Sequence, residues 1–233
     1  MASSFQTVIG GKTLSFESGK LAQKANGSVL VRYGDSVVLV TATMAAPRVG
    51  VDFFPLTVDF EERLYARGKI PGSFFRREGR PSTDAILTDR LTDRPLRPLF
   101  PKGFRNEVQI ISTALSADME NPLDIPSIIG ASTALSISDI PFEGPLGATR
   151  IGYVNGEFIV NPTYQQIEES QLDLVVAGTK DGVAMIEAGA SELSEDRVFE
   201  AIQRAQEVNL TLIEFQNELV RAMGKPKASY VPA

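Results

Sequence analysis

The chain has 233 residues, 43% of them hydrophobic and 22% charged, with a net charge of −6; this is material for one large packed domain or two small ones and excludes a mainly disordered chain. It contains no His, no Cys and no Trp. Those zeros exclude a Ser-His-Asp triad, paired-imidazole chemistry, His-ligated zinc, a thiolate nucleophile, disulfides and iron–sulfur clusters. What remains for chemistry is carboxylates, Lys, Arg, Ser, Thr and Tyr. No run approaches the ~20 apolar residues of a membrane helix, and the start MASSFQTVIGGK lacks the basic and apolar regions of a secretory leader. The expectation is a cytoplasmic protein, which the missing cysteines fit.

The first sixty residues read as strands. A short pair flanks Gly10-Gly11, and Ser28–Tyr33 and Ser36–Thr43 flank Gly34-Asp35 in a hairpin pattern rich in β-branched residues. Phe53–Phe60 alternates enough for a further strand. Gly68–Pro81 has no periodicity. Ser82 can cap a helix from Thr83, which Pro95 should end or bend within a few residues. Glu107–Ala117 reads as a buried strand, and Asp124-Ile125-Pro126 as the start of a helix over Ser127–Ser138. Asn155-Gly156 joins Thr149–Val154 to Glu157–Val160, the strongest hairpin signal in the chain. Leu172–Gly178 and Val183–Ala188 form another, turning through Lys180-Asp181-Gly182. Glu195–Met223 is one long helix with Val198, Ile202, Ala205, Leu212, Phe215 and Leu219 near one face. Hairpins followed by helices, without strict β-α-β alternation, indicate an α+β fold. After Gly224 the composition KPKASYVPA is that of a linker.

The average charge conceals a segregation. Glu61–Arg105 carries 11 Lys/Arg against 6 Asp/Glu, a local +5, leaving −11 elsewhere. Within it Phe74-Phe75 lie between Pro71-Gly72 and Arg76-Arg77, where no amphipathic period takes two adjacent aromatics into one core. Exposed aromatics stack bases and flanking arginines hold phosphates; the alternative is that one Phe anchors the loop to the core. Arg90, Arg94 and Arg97 share a helix face and can line a groove for a phosphate chain. Their alternative is pairing with Asp89 and Asp93, or with acidic groups of another subunit.

Three runs carry a resemblance: DFFPLTV from Asp52 to Val58, RGKIPGSFFRREGRPS from Arg67 to Ser82, and TDRPLRPLFP from Thr92 to Pro101. They resemble bacterial-type polynucleotide phosphorylases, in the first ribonuclease PH-like half, over nearly the whole chain from about Phe5 to Gly224. The resemblance implies a ribonuclease PH-like fold (ribosomal protein S5 domain 2-like) over 1–224, with 225–233 leading toward a following domain. It implies an enzyme that degrades single-stranded RNA 3′ to 5′ with inorganic phosphate as co-substrate, releasing nucleoside diphosphates, in a cytoplasmic homotrimeric ring with other RNA-degradation proteins as partners. Phosphate is already ionised at neutral pH, so the missing histidines are no obstacle. The family's loop corresponding to Phe74, Phe75, Arg76 and Arg77 grips RNA, and Arg80, Arg90, Arg94 and Arg97 match further basic positions for RNA or phosphate.

The same resemblance implies that this half has no catalytic residue and no metal ligand of its own, the Mg2+ site belonging to the second half. In active halves a carboxylate and lysine run precedes a Val-Ala-Gly-Thr sequence. Aligned on Val176–Thr179, Asp173 survives, Val175 stands at the lysine and Ile167 at the upstream Asp. The phosphate-binding Gly-Ser-Ser run falls near Asn121-Pro122-Leu123, which has no hydroxyl. A lone carboxylate is a poor magnesium site. A different reading of the same residues is a stand-alone, non-catalytic RNA-binding ring subunit.

Overall fold

In the computed structural model, which describes residues 3–72 and 74–232, the chain opens with two hairpins. β1 (Ser3–Ile9) returns through Gly10-Gly11 as β2 (Lys12–Ser18), and β3 (Gly27–Tyr33) returns through Gly34-Asp35 as β4 (Ser36–Ala45). Gly10, Gly11 and Gly34 supply the positive φ these turns demand, at 57°, 77° and 61°. β5 (Leu56–Glu61) is shorter than its alternation suggests: it starts after Pro55, and Phe53 and Phe54 stay in the preceding loop.

β5 pairs in parallel with β6 (Glu107–Ser116), which pairs antiparallel with β4, so the first sheet runs β1-β2-β3-β4-β6-β5. A parallel pair cannot close through a tight turn and needs a crossover. That crossover is the basic stretch. It carries α1 (Thr83–Leu96), packed on β5. Ser82 caps α1 by accepting from Ala85 N–H at 3.0 Å, and the helix ends at Leu96, one residue past Pro95.

α2 (Asp124–Ile137) is buried at every residue from Ile125 to Ile137, as a helix apolar all round must be. It lies against β3 and β4 so closely that a Cβ on Gly130 would come within 2.6 Å of the Val40 side chain and 2.9 Å of Val31. The second sheet, in the order β10-β9-β7-β8, is built from β7 (Gly147–Val154), β8 (Glu157–Val160), β9 (Leu172–Thr179) and β10 (Gly182–Ala190). Asn155 and Gly156 both take positive φ, 51° and 86°, as a two-residue hairpin turn requires. Between these hairpins stands α3 (Tyr164–Glu169), closed by a capping box of Thr163 and Gln166. Hydrophobic periodicity gives no sign of it.

α4 (Glu195–Met223) bridges the two sheets. Ala201 and Ala205 in its first half pack on Ile151, Leu172, Leu174 and Val176. Leu212, Phe215 and Leu219 in its second half join the main core, where Phe215 meets Phe16 at 4.8 Å between ring centroids. Two polar residues sit fully buried on its inner face and are satisfied there. Asn209 accepts from Thr149 Oγ1 at 2.8 Å and donates to the Val176 carbonyl; Gln216 accepts from Ser132 Oγ at 2.7 Å and donates to the Leu146 carbonyl. The chain after α4 lies on the body through residue 230. Lys225 and Ala228 N–H bond the Ile137 and Asp139 carbonyls, Lys227 Nζ donates to three carbonyls at the end of α2, and Tyr230 meets Phe104 edge-on. The fold is α+β, as the sequence indicates.

Candidate nucleic-acid interface

The loop before α1 holds its two aromatics away from the core. Phe74 and Phe75 are 94% and 78% exposed and touch each other edge-to-face, 5.5 Å between centroids at 84°. The core-anchor alternative therefore does not describe this loop. Arg76 takes φ 53°, a left-handed conformation uncommon for a residue with a Cβ and concentrated at ligand clamps. Glu78 ties the loop back by accepting from Leu64 N–H at 3.0 Å.

The arginines of this region fall into two groups. Arg76, Arg77, Arg80 and Arg90 are exposed and form no ion pair among the described residues. Arg94 and Arg97 are exposed but engaged. Arg94 bonds Glu187 of β10 at 2.5 Å, an acidic partner 93 residues away in sequence. Arg97 bonds Asp93 one turn earlier and donates to the Phe54 and Leu56 carbonyls at 3.2 Å each, pinning the end of α1 to the entry of β5. Of the expected partners only Asp93 is used, by Arg97; Arg94 finds Glu187 of its own chain instead, and Arg90 pairs with neither Asp89 nor Asp93 among the described residues. Asp89, on the inner side of α1, pairs with no cation among the described residues. Burial, with the Asp59 charge nearby, pushes its carboxyl up to about 6, and its Oδ1 is buried without a hydrogen-bond partner.

Beside α1 opens a cleft of about 520 Å³ whose lining includes Pro122, Leu123, Ile167 and Asp173. Pro122, Leu123 and Ile167 line it with hydrocarbon. Val175 does not reach it and is 3% exposed in the main core. Asp173 does reach it, but Arg150 Nε lies 2.9 Å from its Oδ1, while Nη1 of the same guanidinium lies 2.9 Å from Asp124 Oδ2. Arg150 is 14% exposed. Burial opposes its charge, and the two carboxylates more than offset that, raising its pKa above the ordinary arginine value. A magnesium ion needs carboxylate oxygens free for it, and a covalently attached cation already occupies this pair. The remaining lining has Arg63 and Arg67 against Glu62, Asp84 and Glu187. The cleft therefore carries an excess of negative charge, which disfavours phosphate.

The wall of this cleft is fixed by Asp118. Burial would raise its pKa, but hydrogen bonds from the Asn121 backbone and side chain and from Glu120 N–H hold it at about 2. Arg150 and Asp124 could not be found from spacing, since they stand 23 and 49 residues before Asp173 on elements whose local patterns only announce a hairpin and a helix start. The cluster of Asp124, Arg150 and Asp173, the first two mostly buried and Asp173 half-exposed, is a product of tertiary contact.

Models of the 3′ exoribonuclease family match this chain twice, domain 1 over residues 10–141 and domain 2 over residues 144–208. Polyribonucleotide nucleotidyltransferases of Heliobacterium modesticaldum and Thermomicrobium roseum are each 58% identical over 96% of this chain, which corresponds to 32% and 28% of those proteins. The chain thus spans about a third of the length of the curated relatives it matches. Rice (Oryza sativa) Rrp46 superposes with a TM-score of 0.69 at 14% identity, covering 94% of both chains. An Archaeoglobus fulgidus exosome with RNA bound to the active site gives 0.63 at 18% identity, covering 89% of this chain and 86% of that one. At such identities the two structures establish the fold, which is ribonuclease PH-like. With over half its residues inside the first-domain model and the second-domain model following directly, the chain belongs to the 3′ exoribonuclease family.

Proposed function

We propose that this chain is the RNA-guiding first half of a polynucleotide phosphorylase, working within a longer enzyme that shortens single-stranded RNA from its 3′ end. In that reaction an oxygen of inorganic phosphate attacks the terminal phosphodiester phosphorus. The bond to the penultimate 3′ oxygen breaks, and a nucleoside diphosphate leaves. The observation that carries the reading is the loop of Phe74, Phe75, Arg76 and Arg77, with both rings and both guanidiniums free in solvent. Such a loop can stack any base and hold any phosphate, which suits an enzyme that must accept every sequence.

The cleft supports the other part of the proposal, that this half's own phosphorolytic site has decayed. Its surviving carboxylate is paired with Arg150, hydrocarbon lines the positions of the missing hydroxyls and the missing carboxylate, and the lining is net acidic. Magnesium and phosphate then act at the second half, in a homotrimeric ring through which RNA is threaded, in the cytoplasm. No helix among the described residues is long and apolar enough to cross a membrane.

The test has two parts. This chain alone should release no nucleoside diphosphate from poly(A) with phosphate and magnesium, whereas the full-length protein should. Release by the chain alone at a rate proportional to its concentration refutes the decayed site. In the full-length protein, Arg76→Ala with Arg77→Ala should flatten the salt dependence of RNA binding by about 0.7 for each phosphate no longer neutralised. An unchanged slope removes these arginines from the RNA path.

A further inference from the structure

The far end of α1 meets a second cleft, of about 470 Å³, lined by Phe53, Phe54, Arg97, Phe100, Lys102 and Arg105. Its aromatic lining grades from core to solvent. Phe100 and Phe104 are 7% and 2% exposed, Phe54 is half-buried against both at 4.6 and 5.5 Å, and Phe53 is 64% exposed. Arg97 is held over the Phe54 ring at 5.8 Å. Lys102 is exposed, Arg105 is half-buried, and neither forms an ion pair among the described residues. Among the described residues Arg105 makes a long contact of 3.5 Å to the Val51 carbonyl. One carboxylate, Asp52, stands in the lining. The charge balance is opposite to that of the cleft around Arg150, where acids outnumber arginines.

We infer that this second cleft is a nucleotide subsite, in which a base of single-stranded RNA stacks on Phe53 and the adjoining phosphates lie against Lys102 and Arg105. A large apolar ring kept in solvent beside unpaired cations is poorly suited to folding and well suited to a ligand that is flat and anionic at once. Asp52 offers an acceptor to a base amino group or a ribose hydroxyl. The cleft is separate from the Phe74-Phe75 loop. α1 starts just after that loop and ends at Leu96, with its capping residue Arg97 beside the cleft, a helix of 14 residues and therefore about 21 Å long. The inference rests on the proposal that this half guides RNA, and gives that path a second point of hold.

The experiment uses the full-length protein and fluorescence anisotropy with labelled oligo(A) of graded length. Phe53→Ala should weaken the longer oligonucleotides by about tenfold, within the range of one missing base stack, and leave those too short to span α1 unchanged. Phe53→Tyr should bind as the parent does. Lys102→Ala with Arg105→Ala should lower the salt slope by about 1.4 for long oligonucleotides only. Full affinity of both Phe53→Ala and the Lys102/Arg105 pair variant for every length, with the Arg76/Arg77 pair variant still impaired, overturns the subsite and leaves the RNA-guiding reading standing. Full affinity in all three overturns both. A change of oligomeric mass on Phe53→Ala with RNA affinity intact assigns the cleft to a protein contact and also overturns the inference.

Discussion

Arg76, Arg77, Arg80 and Arg90 reach solvent with no carboxylate paired to them among the described residues, whereas Arg150, a few elements later, is 14% exposed and held between Asp124 and Asp173. The backbone around each explains the contrast. Arg76, Arg77 and Arg80 lie on a Gly- and Pro-rich segment that no sheet ladder holds, and Arg90 lies on the solvent face of α1, so these side chains have no wall to press against. Arg150 sits in β7, paired on one side with β8 and on the other with β9, and its register opposite Val175 brings it toward Asp173. The first four guanidiniums stand in solvent, and that of Arg150 is an internal counter-ion. The side-chain type is the same; the difference lies in whether the fold supplies the anion.

The strongest response should come from disrupting the internal pair. Arg150→Ala strands the mostly buried Asp124 and the half-exposed Asp173 at the cleft and should cost about 1–3 kcal/mol of stability, read as a lowered melting temperature, with RNA affinity per folded molecule unchanged. A variant as stable as the parent would mean the triad is solvated and the contrast with the loop false. Next, Phe74→Ala and Phe75→Ala should leave melting temperature unchanged, both rings being exposed. Whichever of them meets a base should lose ~1–3 kcal/mol of single-stranded RNA binding. A fall in melting temperature with affinity intact would instead return these rings to the core.

A weaker response probes the same contrast from the acidic side. Asp89 is a carboxylate that found neither a guanidinium nor full solvation, and its carboxyl stands at about 6 against an ordinary 3.8. Because the folded pKa is raised, the folded state holds the proton more tightly than the unfolded chain. Ionisation therefore costs stability above pH 6, and that cost fades as pH falls from 6 toward 3.8. Asp89→Asn should raise the melting temperature at about pH 7 to 8, with the difference disappearing below about pH 4. Equal melting temperatures across that range would show that Asp89 reaches water.

Much of the fold was legible locally. The turns at Gly10-Gly11, Gly34-Asp35 and Asn155-Gly156 announce their hairpins because positive φ and a two-residue loop leave few other conformations. Ser82 and Pro95 bound α1, and the apolar stripe of α4 marks its inner face. The parallel pairing of β5 with β6 was not legible, because register between strands more than forty residues apart is settled by packing. Nor was α3, six residues closed by a cap and carrying no apolar period. The burial of Asn209 and Gln216 on α4 escaped for another reason: a polar residue on an apolar stripe is readable only once its partners, Thr149 and Ser132, are in place.

For the candidate site the division is similar. Residue type and order alone establish that a basic stretch lies inside an acidic chain and that Phe74-Phe75 belong to no amphipathic element. These are properties of a residue and its neighbours, which the chain holds before it folds. Which arginines stay free was settled by docking, since Arg94 met Glu187 and Arg97 met two carbonyls only when α1 packed in place. The same folding step set Asp173 against a cation of the protein's own. Ion pairing depends on distance in space, and a distance between residues far apart in sequence exists only in the folded chain.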